Sequence, residues 1–485
     1  MRDVLRTRMG WLHAWVGFVG GLVLVVAFTG GTLALFDTEI TRWMQPELAA
    51  LPAAAMTGQA LDHAGAQVWA LREKGQIVFL NLPSARDPVL RILHYDGHAF
   101  VGPVLDPRDG VEVKSRATEG GQLFFDLHQS LYRGPVWGNL MTEAAGIGLI
   151  VAVISGVIIH WRNLVPDLLL FRPFAAPGRA WLDAHIMAGV LLLPFVTMMA
   201  YTGAVIHAPR LFPMIGAGHA AKAASRAGGG ERRDGGAYAP LAPIFAQAEE
   251  IFGRGRIGFV MFGSGTVSFY RADAADFAMT RDHADFSAVD GKLVGVTRVG
   301  HGMRRLDGAM RGLHFIRWGT PGLRWLYFVG GVVGSMMMSA GLVLFLMKHR
   351  RGQGGGVMLG LAETLALAVT LGLPLAALGF LWGNRLLPAD LAHRAELETR
   401  IFFLLWLGAL VHAALRCFRG AVRHGWREQA CGIAVLGCAL PFLDIVSRSG
   451  TGVRLHWDLY LGVDACALGF GLLALWGQRM MVRAR

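Results

Sequence analysis

Four histidines, His13, His128, His185 and His314, stand where apolar runs meet polar sequence. Imidazole nitrogen there is a ready metal ligand and an ordinary axial ligand of haem iron. Their surroundings repeat. His13-Ala-Trp-Val-Gly17 opens one apolar run, with Thr29-Gly30 near its far end; His185-Ile-Met-Ala-Gly189 opens another that reaches Thr202-Gly203. Leu127-His128 is followed by Gly134 and then Ser155-Gly156, and Leu313-His314 by Gly319 and then Ser339-Ala340-Gly341. Residues 9–162 and 181–351 therefore read as tandem copies of span, polar domain, Leu-His and span. Parallel repeats sit around a pseudo-two-fold axis along the membrane normal. That axis brings His13 to His185 at one face and His128 to His314 at the other, as two bis-histidine haems in a four-helix bundle require.

A lone histidine at a span end is more often an interfacial hydrogen-bonding residue than a ligand. His160, His207, His349, His412 and His456 have no repeat-matched partner and rank as spare positions, His160, His207 and His349 ahead of the other two. His63, His94, His98, His219, His283 and His301 fall in polar stretches and read as surface residues. Gly17, Gly20, Gly21, Gly146, Gly148, Gly189, Gly330 and Gly331 make room for a porphyrin or simply let helices pack closely.

The elements that must position these residues are membrane spans. The 485 residues are 54% hydrophobic and 16% charged, beyond the balance of an ordinary soluble domain. Eight apolar runs qualify, at Gly10–Phe36, Leu140–His160, His185–His207, Leu323–Met347, Val357–Trp382, Ile401–Arg416, Ala430–Val446 and Trp457–Trp476. The sixth is the shortest. The short basic start ahead of the first run reads as the flank of an uncleaved span. Arginines mark alternate ends: Arg2, Arg6 and Arg8; Arg162, Arg172 and Arg179; Lys348, Arg350 and Arg351; Arg416, Arg419, Arg423 and Arg427; Arg479, Arg483 and Arg485. The positive-inside rule puts both termini in the cytoplasm of a bacterial inner-membrane protein. The net charge of +12 thus reads as topology and not as a nucleic-acid face. Cys417, Cys431, Cys438 and Cys466 all lie late in the chain, so no disulfide framework is expected. No Cys-x-x-Cys-His occurs, so haem would be non-covalent.

The polar stretches 37–137 and 208–320 are then periplasmic. Each carries a helix, Leu61–Glu73 or Ala242–Phe252, followed by strands at Gln76–Leu82 and Val89–His94, or Ile257–Phe262 and Val267–Arg271. Turns fall at Asp96-Gly97 and Asp290-Gly291, and Gly216–Ala237 reads as a flexible insertion.

The motifs Leu12-His13-x-Trp15-x-Gly17, Asp126-Leu127-His128, Asp183-x-His185-x-x-x-Gly189 with Thr202-Gly203, and Leu313-His314 with Ser339-x-Gly341 resemble the PepSY-associated transmembrane family. Its members include iron-regulated membrane proteins and siderophore-iron reductases of Gram-negative bacteria. The resemblance covers residues 5–351. It implies two PepSY-like α/β modules at 37–137 and 208–320, the latter containing the loop 216–237. It also implies transmembrane electron transfer, with ferric siderophore reduction as one activity. Residues 352–485 form a four-span extension with no role implied.

The expected path runs from the His13–His185 haem to the His128–His314 haem and on to a periplasmic acceptor. No dinucleotide signature and no soluble domain for flavin or NAD is present, so the donor is a separate cytoplasmic reductase or a quinol. Tyr132, Arg133, Trp137, Phe315, Arg317, Trp318 and Arg324 lie near the outer pair. They either dock an anionic or aromatic chelate or form an ordinary interfacial belt. Two other classes stay open: a regulator whose modules bind a peptide, and a transporter. The absence of mid-span acids and bases in the first four spans weighs against an ion carrier.

Overall fold

The computed structural model describes the chain except residues 1, 52–54, 96–99, 133, 135, 162–171, 173–174, 212–237, 301, 354–355, 449–456 and 484–485. The expected turn Asp96-Gly97 and flexible insertion Gly216–Ala237 lie outside the described residues, as do Arg133, Arg162, His98, His219, His301, His456 and Arg485. Among the described residues the helices are α1 (Arg2–Ala34), α2 (Asp37–Met44), α3 (Gly58–Glu73), α4 (Gln122–Ser130), α5 (Trp137–His160), α6 (Pro177–Leu191), α7 (Leu193–Leu211), α8 (Leu241–Phe252), α9 (Met303–Phe315), α10 (Pro321–Gln353), α11 (Val357–Leu367), α12 (Leu373–Leu386), α13 (Arg394–Phe418), α14 (Val422–Arg448) and α15 (Trp457–Arg483). Contacts divide the chain into a helical unit, 1–44 with 118–204 and 321–485, and a sheet-bearing unit, 45–117 with 205–320.

In the helical unit seven helices are long and apolar enough to cross a membrane, or eight counting one bent pair. This is a multi-pass membrane protein whose spans require a lipid bilayer. α1 packs against α4, α5 and α10, and α10 also against α6. The third span is not the continuous helix expected over His185–His207: α6 and α7 meet at a bend of 67° around Leu192. Pro194, near the start of α7, has no N–H for the carbonyl of Val190, so the helix breaks there. His185 is on the first half.

The sixth span is also longer than read from sequence, Arg394–Phe418 in place of Ile401–Arg416. Arg394 and Glu398 look like a polar boundary but are ion-paired to each other with no side-chain exposure, so the span includes them and begins at Arg394. α11 and α12 form one span, Val357–Leu386, joined by a π-helical turn at Ala368–Gly372. Pro374 explains the slip, because its ring removes the N–H that the carbonyl of Thr370 would receive.

In the sheet-bearing unit, β1 (Val78–Asn81), β2 (Leu90–Tyr95), β3 (Phe100–Val101), β4 (Val104–Leu105), β5 (Ile257–Phe262), β6 (Thr266–Arg271), β7 (His283–Ser287) and β8 (Leu293–Thr297) form one sheet. Its order is β3-β2-β1-β5-β6-β7-β8, with β4 on β2. The two polar stretches are thus not separate modules: β1 pairs antiparallel with β5, Leu80 opposite Val260. A strand that would be an exposed edge in either half is covered by its counterpart. α3 and α8 pack on the sheet through Leu61, Ala64, Val68, Leu241 and Ile244 over Leu80, Ile92, Val260 and Phe269. The module boundary moves accordingly. α2 and α4, placed by sequence in 37–137, belong to the helical unit. The Asp290-Gly291 turn is present, with Gly291 at φ 68°.

Candidate functional site

His13 on α1 and His185 on α6 come together, their ring centroids 6.1 Å apart and their planes at 75°. Each ring is fixed through Nδ1 by a helix carbonyl. His13 Nδ1 donates to the Ala152 oxygen of α5 at 2.9 Å and also lies 3.3 Å from Ser155 Oγ. His185 Nδ1 donates to the Met337 oxygen of α10 at 2.8 Å. On α4, His128 Nδ1 donates to the Ala27 oxygen of α1 at 2.8 Å. A carbonyl can only accept, so each Nδ1 carries the proton and each Nε2 keeps its lone pair.

A glycine follows each accepting carbonyl by four residues: Gly156 after Ala152, Gly341 after Met337, Gly31 after Ala27. A helix carbonyl points toward residue i+4, and a side chain there would screen it from a donor on another helix. A methyl at Gly156 would lie 3.1 Å from His13 Cε1, at Gly341 3.2 Å from His185 Cε1, and at Gly31 2.7 Å from His128 Nδ1. The Ser155-Gly156 and Ser339-x-Gly341 signals therefore mark the seats of the histidine rings. The same arrangement on α5 and α10 is the tandem repeat written in hydrogen bonds. Gly31→Ala is expected to destabilise the helical unit by about 1–3 kcal/mol, more than Gly341→Ala, read from unfolding midpoints in detergent.

The Leu-His helices also match. α4 is capped at its C-terminus by Leu131 and α9 by Ile316, both with φ 49° in the left-handed region. His128 belongs to the helical unit and His314 to the sheet-bearing one, and each is described in its own unit. Burial pushes the His128 imidazole pKa down, which favours the neutral form. At the α4–α5 junction, where Thr142 Oγ1 donates to the Gln129 oxygen at 2.8 Å, Asn139 is 3% exposed and neither of its amide atoms has a hydrogen-bond partner.

Among the spare histidines, His349 Nδ1 donates to its own helix at the Phe345 oxygen, and its ring stacks on Phe345 at 4.0 Å and meets Trp15 at 5.7 Å. His160 ends α5. His207 lies on α7, and its side chain lies outside the described residues. His412, in the extension, is one third exposed; Glu363, also in the extension, is buried and pairs with Arg350 at 2.7 Å.

Of the docking residues, Arg324 is held by Glu39 at 2.9 Å and lies over the Phe36 ring, so its guanidinium faces inward. Tyr132 packs on Phe403, and burial pushes its phenol up to about 12. Trp318 Nε1 donates to the Gly312 oxygen, and its ring meets Phe277. Trp137 is exposed at the start of α5. Phe315 and Arg317 flank the end of α9. Arg133 lies outside the described residues.

The profile of the PepSY-associated TM region matches residues 10–348, well over half of the chain. The chain belongs to the PepSY-associated TM family. No curated protein matches it. The family match ends at the close of α10, so α11–α15 stand outside the PepSY-associated region. This extension is joined to the family core by a buried polar network that sequence reading missed. Arg385 of α12 lies 3.8 Å over the Trp43 ring, donates to the Trp43 carbonyl and pairs with Asp444 of α14 at 2.6 Å. Trp43 Nε1 reaches Asp464 of α15 at 3.2 Å. Thr118 donates to Glu398 at 2.6 Å, and Glu398 also receives Asn384 and Arg394. Aromatic rings extend the join: Phe124 of α4 meets Phe380, and Tyr132 meets Phe403. Ionisable residues inside apolar runs were the available signal.

Proposed function

We propose that the chain conducts electrons across a bacterial inner membrane through two non-covalent b-type haems, one on His13 and His185 and one on His128 and His314. The electrons reduce a periplasmic acceptor of the ferric siderophore class. The observation that carries this reading is the convergence of His13 and His185. Twice a metal–imidazole bond of about 2 Å plus twice the span from ring centre to nitrogen is close to their 6.1 Å separation. Both Nε2 lone pairs are left for a ligand by the Nδ1 bonds to carbonyls, as in other metal-binding histidines. The glycine seats at Gly156 and Gly341 leave the rings unobstructed, and the unsatisfied Asn139 amide offers a polar partner near α4. Haem, when bound, supplies the one-electron chemistry. The chain's own groups orient the imidazoles, fix their tautomers and exclude water.

Arginine placement puts both termini and the His13–His185 level in the cytoplasmic half, with the sheet-bearing unit in the periplasm. Electrons enter from a cytoplasmic reductase or a quinol and leave on the periplasmic side, which makes the chain an oxidoreductase. The test is a dithionite-reduced spectrum of the purified chain. Haem b bands at two haems per chain are the expected result; colourless protein from haem-replete cells overturns the reading in favour of a regulator.

A further inference from the structure

We infer that the outward face of α13 and α14 holds a site for a membrane quinol, with His412 and Glu428 as its polar recognition pair. The inference rests on the proposed electron path, for which it names the donor. His412 Nε2 meets Glu428 Oε2 at 2.8 Å, and Arg416 grips the same carboxylate through Nε at 2.8 Å and Nη2 at 2.6 Å. These side chains are 34–39% exposed; Leu404, Val411 and Leu415 are exposed along α13, and Arg419, Arg423 and His424 at the nearby helix ends. His412, Arg416 and Glu428 lie inside spans, within two turns of their ends. An ionisable group facing lipid is costly to keep there unless it has work to do, and a ligand reaching it must itself dissolve in the bilayer.

The pair is set from behind. Gln429, 3% exposed, donates to the Ala409 oxygen at 2.8 Å and lies 3.3 Å from His412 Nδ1. With Nδ1 accepting, the His412 proton sits on Nε2 and points at Glu428. Gln429 Oε1 is buried and has no hydrogen-bond partner, although the amide needs one. The π-helical turn Ala368–Gly372 adjoins: its Ala368 oxygen accepts from Trp406 Nε1 at 2.9 Å, and the turn itself packs on α1, the helix that carries His13. π-Helical turns occur frequently at functional sites.

An anionic phospholipid headgroup suits this site poorly, because two of the Arg416 donors are committed to Glu428 and the carboxylate repels a phosphate. A quinol suits it: its hydroxyl donates to Glu428, its ring lies among aliphatic side chains and its tail stays in lipid. Oxidation to quinone releases two electrons and two protons. With haem held by the four proposed histidines, the two irons would each accept one of these electrons. Loss of an electron makes the quinol hydroxyl strongly acidic, so even an ion-paired carboxylate takes the proton and hands it to water at the arginine-rich helix ends. The second proton follows the same way.

The test uses the full chain in phosphatidylcholine nanodiscs, with decylubiquinol as the probe. Anaerobic calorimetry on the pre-reduced chain, which cannot oxidise the probe, should show decylubiquinol binding weakened about tenfold or more in Glu428→Gln and in His412→Gln, as expected for losing a hydrogen bond to a charged group. An azidoquinone should label peptides of α13 or α14 in the unaltered chain. Decylubiquinol should reduce the haems at least tenfold more slowly in either variant, with dithionite reduction unchanged. Unaltered quinol affinity in both variants, labelling confined to other helices, or a site that takes anionic lipid and no quinol overturns the inference. Quinol binding is read without haem. Colourless protein that binds quinol therefore sinks only the electron path, and haem-replete protein blind to quinol sinks only this site.

Discussion

Replacing His13 with Ala is expected to cut the haem content of the purified chain from two to one, and His185→Ala to remove the same haem. His128→Ala and His314→Ala should each remove the other. The expectation follows from geometry: His13 and His185 sit on different helices, are held by carbonyls of two further helices, and converge to 6.1 Å. Neither ring can move to compensate, because its Nδ1 bond and its glycine seat fix it. Redox titration of each variant identifies the missing component by its midpoint. The pairing fails if His13→Ala and His185→Ala delete components of different potential. Retention of both haems in either variant would return these histidines to a structural role.

The second large effect is expected in the extension. Glu398→Ala should destabilise the helical unit by about 3–5 kcal/mol, the cost of leaving a buried cation unpaired. Glu398 and Arg394 both have no exposed side-chain surface, and Asn384 and Thr118 donate to the same carboxylate. Glu396→Ala on the same helix is the control. Its partner Arg400 and Glu396 itself are more than half exposed, so the loss should stay below about 1 kcal/mol. Unfolding midpoints of the three proteins in one detergent decide the matter; equal midpoints for the two variants would mean that the buried network does not hold the extension. Since Thr118 lies ahead of α4, the Glu398 variant should also disturb the helix that carries His128.

The amino-acid order by itself determined the spans, because twenty apolar residues in series have no other low-energy home. It determined the duplication as well, because repeated His, Leu-His and small-residue signals keep their order along the chain. The strands Ile257–Phe262 and Val267–Arg271 were legible almost to the residue, since alternation of apolar side chains is a local property. The start of α13 was not legible: Arg394 and Glu398 look solvent-exposed until the partner that neutralises each is known.

Only the tertiary structure decided what depends on residues distant in sequence. Leu80 opposite Val260 merged two expected modules into one sheet, a choice made by two free edges meeting. The carbonyls of Ala27, Ala152 and Met337 became histidine partners because glycine four residues on leaves each one open, and no backbone acceptor announces itself in a side-chain pattern. Arg385 over Trp43 joined an extension to a core that share no motif. Sequence fixes which groups are costly to bury alone; the fold alone settles which of them meet.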